Sequence, residues 1–77
     1  MTIIKVRKTK AQIVGKKLKQ LRTDRHLSLQ QVAVGTGISV SALSCYESGT
    51  RSPSSVSAFR LCEFFCVPWK DVFGETH

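Results

Sequence analysis

Apolar residues return along this chain at helical rather than strand intervals, and most of the stretches they mark are opened by a hydroxyl residue. Val14, Leu18 and Leu21 stand at i, i+4 and i+7, one stripe along a first helix. Thr9 with Gln12 three residues on forms a capping box that sets its start, and His26 and Leu27 end it. Ser28 and Gln31 repeat the device ahead of a short helix carrying Leu29, Val32 and Ala33, which Gly35-Thr36-Gly37 is expected to break. Ser39 then caps a third helix, Val40–Ser48, with Leu43 and Tyr46 on one side, and Gly49 stops it. Thr50-Arg-Ser-Pro53 predicts a loop, and Ser54 caps a fourth helix with Ala58, Leu61, Cys62 and Phe65 on its inner face and Phe59 and Phe64 flanking. Pro68 suits the first position of a last short helix whose Trp69, Val72 and Phe73 turn back onto the core. The pattern predicts an all-α fold, a compact bundle of about five short helices over residues 11–77. Met1–Lys10 has no helical stripe and predicts an extended, mobile, basic arm.

Size and charge narrow the function. A chain of 77 residues and 8.6 kDa holds one small domain, with no room for a deep cleft between two. The net charge of +7 is one-sided. Residues 1–26 carry nine Lys and Arg against Asp24 alone, whereas residues 27–77 sum to −1. Such a field attracts polyanions: nucleic acid first, an anionic membrane surface second, an acidic protein third. The apolar runs are far shorter than the ~20 residues that span a bilayer, and the first residues lack the pattern of a signal peptide, so a cytoplasmic location is expected. Cys45, Cys62 and Cys66 are an odd set without metal-ligand spacing and are expected to be reduced thiols, with no metal and no cofactor. Neither Gly-x-Ser-x-Gly nor His-Glu-x-x-His occurs, so no enzyme and no small-molecule substrate is expected.

The second and third helices, joined through Gly35-Thr-Gly37-Ile38, form a helix-turn-helix pattern over about residues 28–48. Small Ala33 lets the two helices approach, Gly37 supplies the reversal, and Ile38 and Leu43 plug the angle between them. Glu47-Ser-Gly49-x-Arg51-x-Pro53 follows in phase. In these residues, and in Val14-Gly15, Leu18, Leu21-Arg22, Leu27-Ser28, Val32 and Leu61-Cys62, the chain resembles the phage lambda-type repressor and Cro family, the XRE family, over residues 13–73.

The resemblance implies a five-helix DNA-binding transcriptional regulator of the phage or bacterial repressor type, nucleoid-associated when bound. It implies a homodimer on double-stranded DNA with the third helix in the major groove. Carried over by position, Ser39, Val40, Ser41, Ser44 and Cys45 form the base-reading set. From the placement of charged and polar residues rather than from the resemblance, Lys5, Arg7, Lys8 and Lys10 of the arm, Lys16 and Lys17 with Lys19 of the first helix, and Gln30, Gln31, Ser48 and Arg51 are the phosphate candidates. Arg22 and Glu47 match a partly buried ion pair. Phe59, Phe64, Trp69 and Phe73 are candidates for the self-contact. Leu29 stands where the family usually has a phosphate-touching Gln, and Cys66 where it usually has a helix-ending Gly. The third helix lacks Lys, Arg, Asn and Gln, the side chains that read guanine and adenine bidentately. Two readings follow: a DNA binder of modest specificity, or a protein-binding adaptor on the same scaffold.

Overall fold

The computed structural model describes residues 9–74. Five helices follow in order: α1 (Lys10–Asp24), α2 (Leu29–Thr36), α3 (Val40–Ser48), α4 (Ser55–Phe65) and α5 (Trp69–Phe73). No strand occurs among the described residues, and no helix among them is long and apolar enough to cross a membrane. Both expected capping boxes form: Thr9 with Gln12, and Ser28 with Gln31, each exchange a side-chain and a backbone bond. Ser39 and Ser54 cap α3 and α4 by accepting from the N–H of Ala42 and Ser57. Because α1 opens at Lys10, that residue belongs to the helix rather than to the arm.

Val14, Leu18, Val32, Ile38, Leu43, Tyr46, Leu61, Phe65 and Val72 form one buried cluster drawn from every helix and from the turn between α2 and α3. Each such side chain withdrawn from water is worth roughly 1.5–3 kcal/mol. Two glycines set how closely the helices approach. A Cβ on Gly15 would lie 2.2 Å from the Tyr46 carbonyl oxygen, so α1 crosses the end of α3 backbone to backbone. A Cβ on Gly35 would lie 2.2 Å from the Phe64 ring. Gly35 therefore sits inside α2 and lets α4 close on it, whereas a helix break was expected there. The reversal is Gly37's alone, at φ 75°.

Two further expectations shift. α1 ends at Asp24, with Arg25 and His26 in the turn and His26 in the left-handed region at φ 55°. Pro68 is the cap preceding α5, not its first residue. Cys66 takes the left-handed position at the end of α4, φ 56°, that Gly would fill without strain. The helix still closes in the usual way: Val67 N–H donates to the Cys62 carbonyl and Cys66 N–H to that of Glu63.

Candidate nucleic-acid interface

The turn between α2 and α3 is held by more than glycine. Thr36 is buried, and its hydroxyl donates to the Val32 carbonyl at 2.7 Å while accepting from the Ile38 N–H at 3.2 Å. Ile38 and Leu43 are buried beneath it as expected. α3 is thereby fixed with Leu43 and Tyr46 inward. Val40, Ser41, Ser44 and Ser48 are exposed and Cys45 is half-buried. The five base-reading candidates thus occupy one stretch, with Ser39 at the cap and the other four within the first six residues of the helix.

The charge on α3 is cancelled locally. The Arg22 Nε donates to Glu47 Oε2 at 2.7 Å, its Nη2 to Glu47 Oε1 at 3.0 Å, and its Nη1 to the Leu27 carbonyl at 2.8 Å. Both side chains are largely buried, 15% and 12% exposed. The hydrogen bond to Glu47 raises the Arg22 pKa above its ordinary value against the opposing pull of desolvation. The guanidinium therefore stays charged and tied. This pair welds α1 to α3, and it leaves the α3 face without a free charge.

Beside that face lies a cleft of about 290 Å³ lined by Lys19, Arg22, Leu29, Ser44, Glu47 and Ser48. Leu29, in the place of the family's Gln, is half-buried against the core and forms the cleft wall. Lys19 is exposed at the cleft, next to Ser44 and Ser48.

The other phosphate candidates are spread around the molecule. Lys16 and Arg51 are exposed. Lys17 lies on the flank of α1 turned to α5, in a groove with Asp71 and Val72. Lys10 lines a separate groove with Pro53, Trp69 and Phe73. Gln30 is exposed, but the Gln31 side-chain oxygen is already engaged by the Ser28 N–H. The Ser48 hydroxyl donates to the Cys45 carbonyl at 3.1 Å and also bonds the Thr50 hydroxyl. Lys5, Arg7 and Lys8 lie outside the described residues.

The proposed self-contact set divides as well. Phe59 and Trp69 are 58% and 47% exposed, so Trp69 is only partly in the core. Phe73 is half-buried and packs against Trp69 with ring centroids 4.9 Å apart and the planes tilted by 38°. Phe64 is half-buried over Gly35 and edge-on to Phe65 at 5.1 Å, so only part of its ring reaches the surface. Val56, which with Phe59 and Phe64 exceeds what the core stripe needs, is 62% exposed, and Val34, not among the candidates, is 76% exposed.

Arg25 was missed as a structural residue. Its guanidinium lies 5.3 Å over the Phe65 ring and donates to the Phe65 carbonyl, closing the end of α4 across forty positions of sequence. Nothing local signals such an interaction. Thr36 was legible in principle, because a Thr at the end of a short helix can bond back one turn. Cys45, Cys62 and Cys66 are free thiols, half-buried, buried and exposed in turn. Among the described residues, no three His, Cys, Asp or Glu side chains gather where a metal ion could be held.

Residues 18–71 match the helix-turn-helix family model. The chain is 32% identical over 60 residues to the cryptic phage CTXphi transcriptional repressor RstR of Vibrio cholerae, covering 78% of this chain and 54% of that protein. It is 38% identical over 63 residues to the antitoxin PezA of Streptococcus pneumoniae, covering 82% and 40%. The chain thus spans about half the length of these curated relatives. Among solved structures it resembles the restriction-modification controller protein C.AhdI of Aeromonas hydrophila, with a TM-score of 0.77 and 27% identity over 82% of this chain and 96% of that one.

Proposed function

The chain belongs to the XRE-type helix-turn-helix family, and from that premise we propose that it is a DNA-binding transcriptional regulator of the repressor type, seating α3 in the major groove. The observation that carries this is the α3 face itself. An uncharged run of exposed Val40, Ser41 and Ser44 with half-buried Cys45 is presented by a locked turn, with Lys19 beside it. Cations on α1 and the arm supply affinity through phosphates, and the α3 face supplies sequence choice. The molecule works as a homodimer on DNA, because one small module buries too little surface to bind tightly alone. The exposed Val56, Phe59 and Trp69 supply apolar area for the self-contact. Action in the cytoplasm, on the nucleoid, fits this role, and neither cofactor nor catalysis enters it.

Selection of duplexes from a random pool at moderate salt tests the proposal. An enriched, two-fold symmetric sequence with half-sites ~34 Å apart is expected, bound by two chains per duplex. A one-to-one stoichiometry at saturation rejects the dimer. Recovery of no enriched duplex rejects base readout by α3 and leaves the adaptor role, in which the same face meets a protein.

A further inference from the structure

We propose that α3 selects its sites chiefly through pyrimidine C5-methyl groups, thymine in ordinary DNA with 5-methylcytosine as an equivalent, and that Val40 makes the main contact with Cys45 in support. This rests on the DNA-binding role above and names the base chemistry that role uses.

Few groups on α3 are free to read a base. The helix carries no Arg, Lys, Asn or Gln, so bidentate recognition of guanine or adenine is absent from it. Its one carboxylate has both oxygens bound by Arg22, at 2.7 and 3.0 Å, and the Glu47 side chain is only 12% exposed, so burial and the ion pair hold it back from a cytosine amino group. The Ser39 hydroxyl accepts from the Ala42 N–H at 3.1 Å as the helix cap. The Ser48 hydroxyl is engaged by the Cys45 carbonyl and by Thr50. What remains outward is the Ser39 hydroxyl as a donor, the hydroxyls of Ser41 and Ser44, the half-buried Cys45, and Val40 at 37% exposure. A hydroxyl donates to or accepts from several base edges and so discriminates little.

Val40 is different in kind. It is branched, apolar and exposed in the first turn of α3, the end of a reading helix that reaches base edges. Ser44 lies one turn further along the same face, and Ser41 and Cys45 form the neighbouring i, i+4 pair. Of the groups on the major-groove edges, only the C5-methyl is apolar. Covering Val40 therefore gains most against a methyl and less against unmethylated cytosine or a purine edge. The serines bond whatever acceptor or donor adjoins, and Lys19 at the cleft serves the phosphates.

The test uses the full chain and the duplex recovered by random selection. Each thymine is replaced singly by deoxyuridine, which removes the methyl and leaves the hydrogen-bonding edge intact. At one or two positions per half-site this should weaken binding about fourfold, the worth of one buried methyl. At those positions a C·G pair should bind less well than the same pair carrying 5-methylcytosine, by a similar factor. In the Val40→Ala protein, shown by circular dichroism to be folded, the uracil effect at one position should vanish. Uracil substitution without effect at every position overturns the inference while leaving DNA binding intact. So does a larger loss from 7-deazaguanine than from uracil, or an unchanged uracil effect in Val40→Ala. Failure to recover any duplex removes the DNA-binding role and this inference with it.

Discussion

Glu47 shows how much one side chain carries here. It receives two bonds from Arg22 and leaves α3 electrically quiet, so its loss affects stability before it affects recognition. Glu47→Ala strands a largely buried guanidinium, with only the bond to the Leu27 carbonyl left to it. Unfolding in urea should show a loss of about 2–3 kcal/mol, and a change of a few tenths would mean that the pair is solvated. The thiols separate by the same logic of burial. Desolvation raises the Cys62 pKa above the usual thiol value, whereas Cys66 is exposed. Native protein should therefore alkylate rapidly at Cys66 and at Cys62 only on unfolding, as peptide mapping after a short pulse will show. The sign of the pH effect follows. The folded state disfavours the Cys62 thiolate, so this group's contribution to stability is complete below the ordinary thiol range and declines as pH rises through it.

At the level of elements, the end of α4 sets a local cost against long-range compensation. Cys66 is held at positive φ without being Gly, and the helix end is secured by the Arg25 guanidinium on the Phe65 carbonyl and ring. Cys66→Gly removes the left-handed strain but gives the unfolded chain more freedom. The balance should stabilise the protein by about 0.5 kcal/mol in denaturant melts. A loss of stability would show that the weak thiol bond to the Glu63 carbonyl, at 3.6 Å, matters more than the strain.

Across the whole molecule, the proposed function assigns affinity and sequence choice to different parts of the chain. Removing Met1–Lys8 takes away Lys5, Arg7 and Lys8. Binding should weaken on every duplex alike, and the slope of log K against log salt should fall by up to ~0.9 for each phosphate no longer neutralised. An unchanged slope would exclude the arm from the interface. Replacing Val40, Ser41, Ser44 and Cys45 together by Ala should do the reverse. It should erase ~1 kcal/mol or more of discrimination at each base pair read and leave non-specific affinity and its salt slope nearly intact. A quadruple variant that ranks sequences as the parent does would place the reader elsewhere.

Much of this protein was legible along the chain because its determinants are local. The caps at Thr9, Ser28, Ser39 and Ser54, the apolar stripes and the reversal at Gly37 all act within a turn or two, so five helices and a helix-turn-helix could be read from spacing alone. The Arg22–Glu47 tether was legible only through the family resemblance. What needed the tertiary structure were features made by residues distant in sequence. Gly35 reads as a helix breaker, yet Phe64 of α4 makes it a packing glycine inside α2. Lys17 and Lys19 are two residues apart with the same charge, but the helical turn sends one toward α5 and the other to the α3 cleft. Phe59 and Phe64 both read as flanking residues, and only the approach of α2 to α4 decides that Phe59 stays in water while Phe64 is half covered. Spacing along a chain determines which side of its own helix a residue occupies. What faces that side depends on how the helices cross, and here the crossing is set by close approach at Gly15 and Gly35.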